Sequence, residues 1–175
     1  MAGSLVLIDS ETVSSSTTAV TLTGIDSTYN VYVLQIAGMT VSADEAPMMR
    51  VTKSGSAQTD SNYDEAKKYL KSDTSFTTVS QQNVDRIDAT ATIDSGSGAA
   101  GNGTYYLFNF PDASEYSFVT IDGAHFQATD DTVRGFQGGF VHTVASASDG
   151  LRIGVNNYVT STLTGGNFKL FGIGK

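Results

Sequence analysis

The chain has 175 residues, a net charge of −8, no cysteine, and only 16% charged residues. Without cysteine it can form neither a disulfide nor a thiolate metal site. Its ten Lys and Arg residues are scattered, so no basic surface is predicted and nucleic acid is not expected as a partner. A chain of this length predicts one domain, spanning residues 1–175.

The start of the sequence carries no recognisable targeting signal. The segment from Met1 to Ser4 has no charged region followed by an apolar run, which a signal peptide would need. No apolar run anywhere approaches the roughly 20 residues of a membrane-spanning helix. We therefore expect neither a signal peptide nor a membrane as a partner.

The N-terminal part of the chain predicts short strands separated by turns. An apolar run at residues 5–8 leads into a Ser/Thr-rich segment, residues 11–18, that reads as a turn or an irregular edge. Val20 and Leu22 alternate with polar residues and are predicted to point inward. Residues 31–37 are β-branched, aromatic and almost continuously apolar, which predicts a central strand.

The segment at residues 62–71 has a different pattern. Tyr63, Ala66 and Leu70 recur at helical spacing, and two acidic residues are followed by two lysines. This arrangement suits a helix of one to three turns, so at most one short helix is expected, around residues 62–71. The polar stretch from 72 to 90 predicts a long loop or edge strands.

The C-terminal half again predicts strands. Residues 104–110 and 118–126 are rich in aromatic and β-branched residues, and Asp122-Gly123 within the second predicts a bulge. Residues 133–144 alternate, and Asp149-Gly150 is typical of a hairpin turn. The pattern as a whole predicts nine or ten strands in an all-β, single-domain, jelly-roll-like antiparallel β-sandwich.

The last strand carries apolar side chains on both faces. Phe168 and Leu170 are predicted on one face, and Phe171 and Ile173 on the other. Because a sandwich core covers only one face of a strand, we expect Phe171 and Ile173 to meet a neighbouring chain or a covering loop.

The sequence contains several weak signals for chemistry. Gly96, Gly98 and Gly101 form a Gly-x-Gly-x-x-Gly pattern, but a strand rather than a helix is predicted to follow, so a flexible hairpin loop is favoured over a dinucleotide site. His125 and His142 fall in predicted strands with no fixed set of further ligands. The loose carboxylate candidates for a metal are Glu115, Asp122, Asp130 and Asp131.

A calcium loop is a closer alternative. Asp60, Asn62 and Asp64 alternate in a spacing that calcium can use, yet the glycine and the twelfth-position glutamate of an EF-hand are absent. A solvated loop is favoured. We therefore predict no catalytic residue, no cofactor and no bound metal.

Tyrosines near predicted turns are candidates for an interface or for covering a sheet edge, since tyrosine is enriched at protein contacts. The candidates are Tyr63, Tyr69, Tyr116 and Tyr158. We place Tyr63 and Tyr69, together with Phe171 and Ile173, in the predicted interface.

Several blocks in a fixed order resemble a group of bacteriophage virion proteins with a jelly-roll domain. These blocks are a Tyr-led apolar strand at 29–38, Arg50 to Ser56, Ser61-Asn62-Tyr63 with Tyr69-Leu70, the strand pair 105–110 and 116–126, and the ending Gly166-Asn167-Phe168-Lys169-Leu170-Phe171-Gly172-Ile173. The chain departs from the pattern at Phe171, where tyrosine is common. The likeness is weak from about residue 72 to 100.

The resemblance implies a non-enzymatic structural protein of the virion, assembled in the host cytoplasm. The leading expectation is a capsid decoration (cement) protein, a homotrimer that contacts the major capsid protein or other virion proteins through the N-terminal segment and the 40s–60s loops. The alternative is a tail-fibre or spike domain that binds host-surface glycan through exposed Tyr, Asn and Asp side chains. A third possibility is a hydrolase acting on polysaccharide.

Overall fold

The computed structural model of the protein describes residues 4–155 and 161–174, which form thirteen β-strands and no helix. The strands are β1 (Leu5–Val13), β2 (Ala19–Thr23), β3 (Val31–Val41), β4 (Met48–Lys53), β5 (Ser56–Ala57), β6 (Tyr63–Lys71), β7 (Phe76–Val84), β8 (Ile87–Asp88), β9 (Gly101–Phe108), β10 (Ser117–Gln127), β11 (Thr132–His142), β12 (Gly150–Gly154) and β13 (Leu163–Ile173).

The strands form two antiparallel sheets. The larger sheet has eight strands in the order β1-β13-β3-β9-β10-β11-β6-β7. The smaller has the order β2-β12-β4-β5, with β8 paired to β4. One face of the larger sheet, called the inner face below, contributes to the same hydrophobic core as the smaller sheet. The all-β antiparallel sandwich that the sequence predicted is thereby confirmed, and its jelly-roll connectivity stays a prediction.

The core follows from the alternation of side chains along each strand. Tyr32, Leu34 and Ile36 of β3 are buried, and each is at most 3% exposed. They lie beside inward residues of the neighbouring β9, with Leu34 opposite Tyr105. Such cross-strand apolar pairs are the main stabilising unit of a sheet. As predicted, Val20 and Leu22 of β2 point into the same core.

The segment expected to be a helix is strand β6. Tyr63, Glu65, Lys67 and Tyr69 are buried on one side, and the residues between them are more exposed. Glu65 and Lys67 neutralise each other inside the sandwich, with 2.9 Å between Glu65 Oε2 and Lys67 Nζ. The helix prediction was wrong because alternate residues, rather than every third or fourth, face the core.

Two local expectations also need correction. Asp122 and Gly123 pair in regular register with both β9 and β11, so no bulge occurs there. Asp149-Gly150 makes no hairpin, because β12 pairs with β2 and β4. Asp149 instead accepts hydrogen bonds from Thr52 Oγ1, at 2.6 Å, and from the Gly55 amide, at 2.9 Å.

The polar segments are more regular than their composition indicated. The Ser/Thr-rich segment is strand up to Val13, which pairs with Gly166 of β13. The stretch from 72 to 90 contains β7, the edge strand of the larger sheet, and the short strand β8. The expectation of edge strands there is confirmed.

The last strand lies inside the larger sheet, between β1 and β3. Phe168 and Leu170 are buried in the core and Phe171 and Ile173 lie on the opposite face, as predicted. Gly172 allows the Tyr29 ring to pack directly on this strand, since a Cβ there would lie 2.4 Å from Tyr29 Cδ2. Tyr29 in turn packs edge-on against Tyr32.

Candidate functional site

The outer face of the eight-stranded sheet carries an exposed apolar surface that includes Phe171. In the sheet register, Phe171 lies between Leu7 of β1 and Val33 of β3, and Val33 lies opposite Tyr106 of β9. Leu7 is 53% exposed and Tyr106 is 43% exposed, whereas Val33 is covered. The row continues across the sheet through small and polar side chains, Thr120, Gly139, Ala66 and Ser80.

A second row of apolar residues lies beside the first. Leu5 pairs with Ile173 at one end, and Phe118 pairs with both Phe108 and Val141 further along. Leu5 is 52% exposed and Phe118 is 43% exposed. We call the two rows together the outer apolar surface, which comprises Leu5, Leu7, Val31, Val33, Tyr106, Phe108, Phe118, Val141, Phe171 and Ile173.

The size of this surface is comparable with that of functional patches. Four of its side chains, Leu5, Leu7, Tyr106 and Phe118, are each about half exposed, which corresponds to on the order of 400 Å². The largest apolar patch on a typical monomer covers roughly 300–600 Å² and is often an interaction site. The surface is therefore large enough to form the centre of a protein contact.

A groove of about 460 Å³ continues from the outer apolar surface toward β7. Its floor is open because Gly139 has no side chain between Thr120 and Ala66. Phe118 and Val141, which belong to the outer apolar surface, form an apolar wall at one end of the groove. The outer face thus combines projecting apolar side chains with a depression that can receive a side chain from a partner.

Tyr63, which was predicted at an interface, lies in the core. Its side chain is fully buried, and its ring packs on His142 at a centroid distance of 4.9 Å. Its hydroxyl donates to the Gln58 carbonyl at 2.9 Å and accepts from the Val51 amide at 3.2 Å. Burial raises the pKa of this phenol. Tyr63 joins the two sheets and offers no exposed surface, so the interface prediction needs this correction.

Tyr69 requires the same correction. It is 8% exposed and belongs to the core. Burial, followed by the negative charges of Asp88 and Glu65, raises the pKa of its hydroxyl. Among the described residues, the most exposed tyrosines are Tyr106 and Tyr116, at 43% and 44% exposure. Tyr158 lies outside the described residues.

The remaining candidates for chemistry are not brought together. Within residues 4–155 and 161–174, no three His, Asp or Glu side chains come close enough to hold a metal ion. His125 and His142 are both buried in strands, and burial lowers the pKa of each, that of His142 to about 4. Asp64 accepts a hydrogen bond from the Asn83 amide at 2.8 Å, and the glycine-rich loop leads into β9 rather than a helix.

The residues that sequence reasoning missed are Leu5, Leu7, Tyr106, Phe118 and Val141. Tyr106 could have been predicted from the sequence, because residues 105–108 are continuously apolar. Such a run places apolar side chains on both faces of a strand. The alignment of these strands side by side could not be read from the sequence.

Comparisons with known proteins do not assign the chain to a family. No family model matches the chain, and no match was found among curated proteins or solved structures. No helix with the length and apolar character of a membrane span occurs in the described part of the chain.

Proposed function

We propose that this chain is a non-enzymatic structural protein of a bacteriophage virion that assembles through its outer apolar surface. The observation that carries the proposal is the outer apolar surface, which crosses five neighbouring strands and exposes Leu5, Leu7, Tyr106 and Phe118 to solvent. A monomer gains nothing from exposing these residues to water, whereas a partner that covers them gains hydrophobic stabilisation. The virion context rests on the ordered sequence blocks and the Gly-x-Phe-x-Leu-Phe-Gly-Ile ending.

The most specific form of the proposal is a capsid decoration protein that forms a homo-oligomer, a trimer at a local three-fold position, on the major capsid protein. A stable contact buries about 800 Å² per partner. The outer apolar surface supplies about half of this area as an apolar centre, and a polar rim supplies the rest. Lys169 and Asn167, which are exposed on the same face of β13, belong to that rim.

The contact is tested by placing a charge within it. Phe171→Asp introduces a carboxylate between Leu7 and Val33, where a dry contact would have to desolvate it. We expect the oligomer to dissociate at least tenfold more readily in light scattering coupled to size-exclusion chromatography. Gln137→Glu is the control, since it adds a carboxylate at an exposed position of the same sheet face, on β11 and outside both apolar rows.

The virion context requires a separate experiment. Cross-linking mass spectrometry of intact virions should join this chain to the major capsid protein, with Lys169 as a reactive site near the surface. Cross-links only to tail proteins would overturn the role in capsid decoration. They would still agree with a structural role in the virion. An unchanged oligomer in Phe171→Asp would show that the outer apolar surface is not the contact.

A further inference from the structure

The two edge strands of the eight-stranded sheet differ in how they are protected. β1, at one edge, carries Asp9 and Glu11 and has a register shift next to Asp9. β7, at the other edge, contains neither a charged residue nor a proline. Natural proteins commonly use charges, prolines and bulges to keep an edge strand from pairing with another chain. The edge at β7 is therefore open along residues 76–81, up to the register shift beyond Gln81.

Half of the backbone groups in this open stretch have no pairing partner among the described residues. β6 pairs with one side of β7, and the other side is the end of the sheet. The Lys71 amide donates to the Ser75 carbonyl at 3.1 Å, and backbone groups alternate in direction along an antiparallel pair. The N–H and C=O groups of Phe76, Thr78 and Ser80 consequently point away from β6, where they can pair with a further strand.

A projecting aromatic ring marks the same edge. Phe76 is 63% exposed, the highest value for a large apolar side chain in the described residues. Lys68 Nζ lies 4.7 Å from the centre of its ring. Since Lys68 is exposed on the outer side of β6, the Phe76 ring lies on the outer face of the sheet. A partner that covers this ring gains hydrophobic stabilisation.

The groove on the outer face lies four residues further along the same strand. Ser80 lines it together with Ala66 and Gly139. Ser80 pairs with Ala66, and Ala66 pairs with Gly139, so three small residues in a row leave room above the sheet. Phe76 and Ser80 point to the same face, because side chains on a strand alternate with a period of two. One strand thus carries both a projecting ring and a depression.

We propose that β7 pairs antiparallel with β7 of a second copy of this chain, across a two-fold axis at Thr78. In this register Phe76 of each copy lies opposite Ser80 of the other, and its ring enters the groove above Ala66. The same surface serves both copies, as a two-fold contact requires. The strand brings no charge to the contact, so no like charges face each other along the paired backbones.

This contact is small and separate from the outer apolar surface. Pairing of one short strand from each copy belongs to the class of weak interfaces that bury less than about 1,200 Å² in total. We therefore expect a dissociation constant of about 10–100 µM. A two-fold contact does not close a ring of three. In the proposed assembly it would join neighbouring trimers, but the inference does not depend on that proposal.

The test is cross-linking through single introduced cysteines, since the chain has none of its own. In Thr78→Cys the two Cα atoms lie about 5.5 Å apart, within the range of about 4.4–6.8 Å for disulfides. We expect a disulfide-linked dimer under mild oxidation at about 100 µM chain. In Ser80→Cys the two thiols are offset by roughly 13 Å along the strands, and the yield should be at least tenfold lower. Thr12→Cys, the same substitution on the opposite edge strand, should give no dimer.

The role of the groove is tested separately from the backbone pairing. Added to Thr78→Cys, Phe76→Ala removes the projecting ring, and Ala66→Leu fills the groove without changing β7. Each should lower the yield of cross-linked dimer at least fivefold. Tyr116→Ala removes an exposed ring outside β7 and the groove and should leave the yield unchanged. Thermal unfolding checks that each variant is folded.

Every measurement is repeated in the Phe171→Asp chain, so that the outcome does not depend on the contact through the outer apolar surface. Equal cross-linking at residues 78 and 80 would overturn the antiparallel register and with it the proposal. Sedimentation velocity at about 200 µM measures self-association without any cross-link. If the Phe171→Asp chain stays monomeric there and Thr78→Cys gives no dimer, self-pairing is overturned and the edge is left to a strand of a different protein.

Discussion

The two faces of the eight-stranded sheet are built from the same strands but have different surroundings. On the inner face, Phe168, Leu34 and Tyr105 are completely buried. On the outer face, Tyr106 and Leu7 are 43% and 53% exposed, although they are as apolar as the inward residues. The smaller sheet covers the inner face alone, so the difference in burial comes from the second sheet rather than from the residue types.

Burial against the smaller sheet accounts for the apolar residues of the inner face but not for those of the outer face. The inner residues are needed for stability, because covering them is what holds the sandwich together. The outer residues have no second sheet to cover them, and in the isolated chain their exposure brings no benefit. The proposed contact with another protein would cover them. The two faces should therefore respond differently to substitution.

The largest effect is expected when an inner aromatic side chain is removed. Phe168→Ala should lower the free energy of unfolding by about 3–5 kcal/mol, because it empties a completely buried site. Phe171→Ala, three residues along the same strand, should cost about 1 kcal/mol, since that side chain is only partly buried. Urea denaturation measures both, and equal losses would contradict the distinction between the faces.

The buried ion pair on the inner face should show the next largest effect. Lys67→Met leaves Glu65 charged and unpaired in the interior, which should cost about 3 kcal/mol. Replacing both residues, by Glu65→Leu with Lys67→Met, should recover most of this loss because no charge remains buried. Denaturation of the single and double variants checks the prediction, and a double variant less stable than the single would disprove it.

Acid should act on the inner face through its histidines. Burial, followed by the nearby Lys53 ammonium, lowers the pKa of His142 to about 4, whereas an unfolded histidine has a pKa of about 6.5. The unfolded state therefore binds more protons as the pH falls below about 6.5, and stability decreases until about pH 4. Between about pH 7 and pH 5 the expected loss is on the order of 2 kcal/mol.

The histidine effect is checked by comparing the wild type with His142→Gln in urea at these two pH values. The variant should lose less stability on acidification, and His125, whose pKa burial also lowers, contributes to the loss that remains. An identical pH dependence in both proteins would contradict the lowered pKa of His142 in the folded state.

The smallest effect on stability is expected on the outer face. Tyr106→Ser should change the free energy of unfolding by about 0.5 kcal/mol or less, because the side chain is 43% exposed. The same variant should weaken self-association, since tyrosine side chains are frequent anchors of protein contacts. Analytical ultracentrifugation tests the second effect, and a large loss of stability without a change in association would contradict the proposed role of this face.

Local pattern in the sequence determined the class of fold and many individual strands. Alternation at Val20 and Leu22, the apolar run of β3, and the two faces of β13 could all be read directly, because side chains on a strand alternate with a period of two. The absence of cysteine and of a basic cluster was equally plain in the composition.

Tertiary structure decided which of these patterns has an apolar partner and which charges are buried. Glu65 and Lys67 look like surface residues, and only the pairing of β6 with β7 and β11, beside the smaller sheet, places them inside as an ion pair. Likewise, Leu7, Phe171 and Tyr106 are far apart in the chain and form one surface only through strand pairing. Contacts of this kind depend on the order of strands in the sheet, which alternation along a single strand does not specify.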